Sequence, residues 1–351
     1  MDERAQGHDI IVIGASAGGV EALLALIPDL PADLPASIVI VMHVGRASHL
    51  ASILQKRSQL DVRQAKAGER FQRGTVYVAG PGAHLLLHDS HILIRKGPRE
   101  NMARPAIDPL FRSAAISFGG RVIGVVLSGS LNDGTAGLRA IKRCGGLAVV
   151  QEPKDAVVAE MPRSALRYVE VDYVAKIAEM ADLLTRLVEE RAGVTPEIPL
   201  DIRMETAIAA QELADMEIEE KLGLPSPFTC PDCGGTLWEI EDGDLLRYRC
   251  HVGHAYTADA VLLGQNSEVE HMLEGLQRAN QERAALARRM AEKERDRKNK
   301  RLADLLDSRA DEYEQNAEIV RQLAAGANGD SLVEEEEKRS EGETEAGREG
   351  A

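Results

Sequence analysis

Short apolar runs recur along the first half of the chain, each followed by a segment with helical spacing. Ile10-Ile11-Val12-Ile13, Ser37-Ile38-Val39-Ile40-Val41, Thr75-Val76-Tyr77-Val78-Ala79, Val122-Ile123-Gly124-Val125-Val126-Leu127 and Leu147-Ala148-Val149-Val150 lack polar alternation. That is the pattern of strands buried on both faces. Helical spacing is predicted over 20–27, 47–56, 107–117, 135–143, 161–168 and 175–190. Residues 84–87 and 91–95 flank Asp89-Ser90 and read as a hairpin. Repeated strand–helix alternation predicts an α/β fold: a doubly wound, mostly parallel sheet with helices on both faces.

The second half has a different pattern. Residues 193–200 carry Thr195-Pro196 and Ile198-Pro199 and read as a linker. Residues 201–223 form a charged helical stretch. Leu237-Trp238-Glu239-Ile240 and Leu246-Arg247-Tyr248-Arg249 read as the strands of a small ribbon. From 265 to 325 the chain is highly charged, with apolar residues at Met272, Leu273, Leu276, Leu286, Met290, Leu302, Leu305 and Leu306 in an irregular heptad. One long helix or a helical hairpin would both fit. Residues 326–351 are acidic and rich in glycine, a composition too polar to bury a core, and are expected to be disordered. The predicted organisation is an α/β domain at 9–191, a linker and charged helix at 192–227, a ribbon-like module at 228–258, a charged helical segment at 265–325 and an acidic tail.

Composition narrows the function. The chain has 351 residues, enough for about two domains. Aromatic residues make up only 3%, so the core must be built from Ala, Val, Leu and Ile. The net charge of -15 argues against general nucleic-acid binding, which wants a basic face. No apolar run reaches transmembrane length, and Met1-Asp2-Glu3-Arg4 is not a signal peptide, so a cytoplasmic protein without membrane insertion is expected.

Candidate chemistry lies at the carboxyl ends of the strands, where open parallel sheets form their sites. Gly14-Ala15-Ser16-Ala17-Gly18-Gly19 joins the first strand to a helix. It lacks the glycine that a dinucleotide fingerprint needs at position 16 and the lysine that a P-loop needs at its end. Gly14, Ser16 and Gly18 match the G-x-S-x-G nucleophile elbow, with Ser16 as a plain helix cap the bland alternative. His43 follows the second strand, and Ser128-Gly129-Ser130-Leu131-Asn132-Asp133-Gly134 follows the strand at 122–127. A serine, a histidine and an aspartate at one sheet edge are the parts of acyl transfer, though their order departs from that of common α/β-hydrolases.

These residues resemble a family. Together with Gly68-Glu69-Arg70, Tyr77-Val78-Ala79, Arg104-Pro105-Ala106-Ile107-Asp108-Pro109-Leu110-Phe111 and Met161-Pro162-Arg163, they look like the catalytic domain of the CheB-type chemotaxis protein-glutamate methylesterases over residues 9–191. The resemblance implies a Ser-His-Asp triad without a catalytic cofactor. It also implies hydrolysis of glutamyl methyl esters, and deamidation of glutamines, on the cytoplasmic domain of methylated chemoreceptors. By match to the motifs, Ser16 is the nucleophile, His43 the general base and acid, and Asp133 the orienting carboxylate. Backbone N–H groups of Ala17 and of the Ser130–Leu131 loop, with Leu131 the named candidate, would hold the oxyanion. Family members carry a receiver domain ahead of the catalytic domain; the first strand here starts at residue 9, so that domain is not expected. The sequence departs from the family at Met42, Ala17 and Ser130-Leu131. Rival readings are a serine esterase or amidase on another substrate, and a catalytically weak signalling adaptor.

Three of the four cysteines cluster late in the chain. Cys230-Pro231-Asp232-Cys233 has the spacing of a metal knuckle, and Cys250-His251-Val252-Gly253-His254 follows after a ribbon-length gap. Cys230, Cys233, Cys250 and His254, with His251 as the alternative fourth ligand, predict a closed structural zinc site. The charged helices beyond it are expected to dock a signalling partner.

Overall fold

The computed structural model describes residues 7–43, 49–211 and 223–327. The chain divides into two units, Met1–Leu262 and Leu263–Ala351.

In the first unit the apolar runs become β1 (Ile10–Ala15), β2 (Ser37–Met42), β4 (Thr75–Val78), β7 (Val122–Val126) and β8 (Leu147–Gln151). Two further strands, β3 (Asp61–Gln64) and β9 (Tyr173–Ala175), complete the sheet. The order is β3-β4-β2-β1-β7-β8-β9, with every neighbouring pair parallel. A hairpin of β5 (His84–His88) and β6 (His91–Arg95) lies outside it. Successive residues of a strand serve opposite faces. Ile11, Ile13, Ile38 and Ile40 join one apolar cluster with α1 (Gly19–Asp29), α2 (Leu50–Gln55) and α6 (Ile177–Glu189). Ile10, Val12, Val39 and Val41 join the other with α3 (Ile107–Phe118), α4 (Thr135–Arg143) and α5 (Glu160–Tyr168).

Two boundaries correct the sequence expectation. The predicted helix at 175–190 is a strand end at Ala175 followed by α6, which begins at Ile177. Of the predicted helix at 47–56, Leu50–Gln55 is helical, and residues 44–48 lie outside the described residues. Within the stretch 201–223, α7 covers Leu200–Ala209, and 212–222 lie outside the described residues.

Four antiparallel strands follow: β10 (Gly223–Thr229), β11 (Thr236–Ile240), β12 (Arg247–Cys250) and β13 (Ala255–Thr257). This module is fastened to the sheet domain by buried charge. Arg112 on α3 grips Glu100 at 2.6 and 2.7 Å. Arg249 on β12 reaches Glu205 of α7 at 2.6 Å and Glu100 at 3.4 Å. Arg247 bonds Glu205 at 2.9 Å and Asp242 at 3.0 Å. Three buried guanidinium groups thus face three buried carboxylates, which balances the charge. Burial works against the Glu205 charge, but Arg247, Arg112 and Arg249 hold its carboxyl well below the usual range.

α8 (Ala258–Asp296) and α9 (Lys300–Ala327) carry the rest of the described chain. In the second unit they form a hairpin rather than one long helix. Arg288 pairs with Asp311 and Glu314, and Arg283 stacks 4.1 Å above the Tyr313 ring. The seam is alanine: Ala284, Ala287, Ala291, Ala303, Ala310 and Ala317 are buried, whereas Met272, Leu276, Leu286 and Leu305 are exposed. Small side chains let the two backbones approach, which is why the leucine heptad looked irregular. Residues 328–351, most of the acidic tail, lie outside the described residues.

Candidate active site

Ser16 stands directly after β1, half-buried. Its backbone N–H donates to the Ser128 carbonyl at 2.9 Å, and its carbonyl accepts from the Gly19 N–H at 2.9 Å. Gly18 turns the chain at φ 73, in the left-handed region open to glycine. A Cβ there would stand 2.6 Å from the Ser128 hydroxyl oxygen and 2.6 Å from Val157. Ser128 is fully buried and staples the elbow: its hydroxyl donates to the Ala17 carbonyl at 2.7 Å and accepts from the Val158 N–H at 2.9 Å. Among the described residues the Ser16 hydroxyl has no hydrogen-bond partner, so it is free to turn.

The β1–β2 register sets Ala15 beside Met42, so Ser16 and His43 leave the sheet as neighbours. The His43 N–H donates to the Ala15 carbonyl at 3.2 Å. His43 Nε2 lies 2.7 Å from Asp133 Oδ2. Asp133 is buried and also accepts from the N–H groups of Ile107 at 2.7 Å, Asp108 at 3.2 Å and Gly134 at 3.0 Å. Ile107 and Asp108 open α3, where the helix dipole favours an anion. Gly14 permits this approach, since a Cβ on it would stand 2.3 Å from Ile107 Cγ2. Burial opposes the Asp133 charge, but the bond and charge of His43, the Ile107 N–H and the Asn101 amide hold its carboxyl below the usual range. Neighbouring Asp108 is pushed up to about 7, by burial first and then by the Asp133 charge.

The oxyanion expectation needs a correction. The Leu131 N–H donates to the Glu160 carboxylate at 2.6 Å, so that donor is already taken. Among the described residues the N–H groups of Ala17 and Ser130 carry no hydrogen bond, and Ala17 is exposed at the amino end of α1. A cavity of about 540 Å³ opens beside His43, lined also by Arg99, Asn101, Met102, Arg104 and Pro105. Sequence reasoning passed over Asn101, Ser128 and Glu160. No sequence motif marks them: Ser128 follows β7, Asn101 lies in the loop between β6 and α3, and Glu160 opens α5.

Away from Ser16, His43 and Asp133, the side chains of Cys230, Cys233, Cys250 and His254 converge, with all four donor atoms within 4.8 Å of one another. His254 Nδ1 lies 3.6 Å from Cys230 Sγ and 3.5 Å from Cys250 Sγ, and Cys233 Sγ lies 3.7 Å from Cys250 Sγ. Tetrahedral ligands at zinc distances stand about 3.4–3.8 Å apart, so three thiols and one imidazole fit a single ion. His251 is exposed and lies against Gly235, outside the cluster. The Tyr256 hydroxyl lies 3.3 Å from Cys230 Sγ and donates to Asp232 at 2.7 Å, bracing the knuckle. Cys144, distant in sequence, is buried and its thiol is pushed up to about 11 by burial.

A parallel α/β sheet with a serine elbow, a histidine and a buried aspartate at its carboxyl edge defines a hydrolase of the acyl-transfer class. Comparison with known proteins narrows this. Residues 11–184 match the family model described as CheB methylesterase. A relative from Leptospira interrogans is 43% identical over 183 residues, covering 51% of this chain and 95% of that protein. The Protein-glutamate methylesterase/protein-glutamine glutaminase 2 of Anaeromyxobacter dehalogenans is 39% identical over 52% of this chain, which spans 54% of that protein. The crystal structure of the Thermotoga maritima CheB methylesterase catalytic domain superimposes with a TM-score of 0.50 at 34% identity, covering 51% of this chain and 98% of that one. The chain belongs to the CheB methylesterase family.

Proposed function

We propose that this protein hydrolyses glutamyl methyl esters on methylated chemoreceptor cytoplasmic domains, with Ser16, His43 and Asp133 as its triad. The observation that carries this reading is the 2.7 Å bond from His43 Nε2 to a buried Asp133, beside a serine elbow. Ser16 Oγ attacks the ester carbonyl as the free His43 nitrogen, Nδ1, takes its proton. The tetrahedral oxyanion is held by the N–H groups of Ala17 and Ser130; each such donor supplies about 2.7–4 kcal/mol. His43 returns the proton to the departing methoxide, which leaves as methanol. Water, deprotonated by His43, then cleaves the glutamyl-Ser16 ester and restores both serine and glutamate. With a glutamine side chain the same steps release ammonia.

Cys230, Cys233, Cys250 and His254 hold a structural zinc ion in this reading, and the metal takes no part in the chemistry. The exposed apolar residues of the α8–α9 hairpin receive a signalling partner. The test is methanol release from methylated receptor. Wild type is expected to release methanol and Ser16→Ala to lose several orders of magnitude in turnover. Equal release by both would sink the assignment of Ser16.

A further inference from the structure

The loop carrying Asn101 lies between the triad and the cysteine module. Asn101 is buried, at φ 48. Its Nδ2 donates one hydrogen to Asp133 Oδ1 at 3.1 Å and the other to Asp108 Oδ2 at 3.0 Å. The amide oxygen therefore faces away from both carboxylates and needs a donor of its own. That donor is the Thr257 N–H of β13, at 3.0 Å. The Asn101 N–H donates to the Ala255 carbonyl at 2.7 Å, and the Ala255 N–H to the Arg99 carbonyl at 3.1 Å. On the other side of the site, the Thr257 hydroxyl donates to Asn132 Oδ1 at 2.5 Å. Asn132 Nδ2 in turn donates to Asp259 Oδ2, in the first turn of α8, at 2.7 Å. Asn132 immediately precedes Asp133 in the chain.

We propose that the cysteine module is a working part of the esterase site: Thr257 and Asp259 position Asp133 by holding Asn101 and Asn132. The physical reason is the symmetry of an amide. The Thr257 N–H fixes which end of the Asn101 amide faces the two buried carboxylates, and the Thr257 hydroxyl fixes Asn132, whose backbone leads directly into Asp133. Without that hydroxyl the Asn132–Asp133 backbone is released and Asp133 loses its alignment with His43. Asn101, Asn132, Thr257 and Asp259 are positioning residues, each acting through Asp133. The inference rests on Ser16, His43 and Asp133 being the triad.

The experiment uses the full chain and the small ester p-nitrophenyl acetate. Thr257→Val keeps the shape and the backbone bonds but removes the hydroxyl from Asn132. Its kcat is expected to fall about tenfold to a hundredfold with little change in KM, the scale set by a misplaced catalytic group. The downfield proton resonance of the His43–Asp133 bond should broaden or shift, and Thr257→Ser should restore both. Thr185→Val, whose hydroxyl donates only to the Ala181 carbonyl of its own helix at 2.8 Å, is the control and should change neither. Unchanged kcat and resonance in a folded Thr257→Val, or a loss that serine does not restore, overturns the proposal. The pair Asp259→Leu and Asp259→Asn reads the same link and decides it if Thr257→Val does not fold. Fluorophosphonate labelling separates the two levels of the argument. If Ser16→Ala still labels and still cleaves the ester, the triad reading fails. If Ser16→Ala loses both while the Thr257 and Asp259 variants behave as wild type, only the positioning proposal fails.

Discussion

The sheet domain and the cysteine module solve the same problem with different materials. The sheet domain buries two apolar clusters, one on each face of its seven-stranded sheet, and helices α1 to α6 cover them. The module's own cluster is small: Cys230, Leu237, Tyr248, Cys250, Tyr256, Ala260 and Val261, two of them cysteines of the metal-ligating set. Apolar burial contributes about 25 cal/mol per Å², so a cluster of this size cannot offset the ordering of four strands by itself. What it has instead is four converging side chains that fit one metal ion, and a charge network half of which belongs to its neighbours. The difference teaches that one region has apolar cores of its own, whereas the other has a side-chain cluster suited to a metal and a buried charge network shared with its neighbours.

The largest effect that could break this comparison comes from removing the metal. Zinc binding supplies on the order of 10–16 kcal/mol to small zinc-folded units. Chelation, or Cys250→Ser, is expected to abolish amide protection in β10–β13 while β1, β2 and β7 remain protected in hydrogen exchange. If the module stayed protected after complete chelation, its stability would have to come from docking alone. Should the link through Thr257 hold, esterase activity falls in the same titration.

A smaller effect is expected at the joint. Glu205→Ala leaves Arg247 and Arg249 facing each other without their shared carboxylate, and should cost about 3–5 kcal/mol. Denaturant unfolding would read it. A cost below about 1 kcal/mol, the level of an exposed pair, would mean that the network is hydrated and the docking looser than drawn.

The smallest effect separates the sheet domain from the joint by pH. Asp108, in the sheet domain, is raised from 3.8 to about 7. The folded protein therefore holds more protons than the unfolded chain between those values. Its contribution is complete below about pH 4 and is lost as pH rises through 7. Glu205 and Glu100 have the opposite sign, since their carboxyls are lowered in the folded state. Their contribution is present above the ordinary carboxylate pKa and is lost as acid takes the pH through their lowered values. Urea midpoints should thus decline towards neutral pH, and Asp108→Asn should flatten that decline without altering the acid limb.

Much of the sheet domain was legible because its strands are apolar on both faces and its turns carry glycine. Ser16, His43 and Asp133 could be read as a set because parallel strands deliver their carboxyl ends to one edge. The edge strands β3 and β9 were not legible. Asp61-Val62-Arg63-Gln64 is polar at three of four positions, and Tyr173–Ala175 is too short to interrupt a helical pattern. The cysteine spacing pointed to three thiols and His254, with His251 as the alternative; the fold brings the first four together and leaves His251 exposed.

The sequence by itself therefore determined what local pattern can carry: the central strands and their helices, the serine elbow and the grouping of three cysteines with a histidine. The tertiary structure decided what depends on pairing between distant segments. It closed the α8–α9 hairpin on alanines, gave the Leu131 N–H to Glu160, and brought Thr257 to Asn101 across 156 residues. Hydrogen-bond donors and buried charges find partners by proximity in space, and residue spacing along a chain carries no record of that proximity.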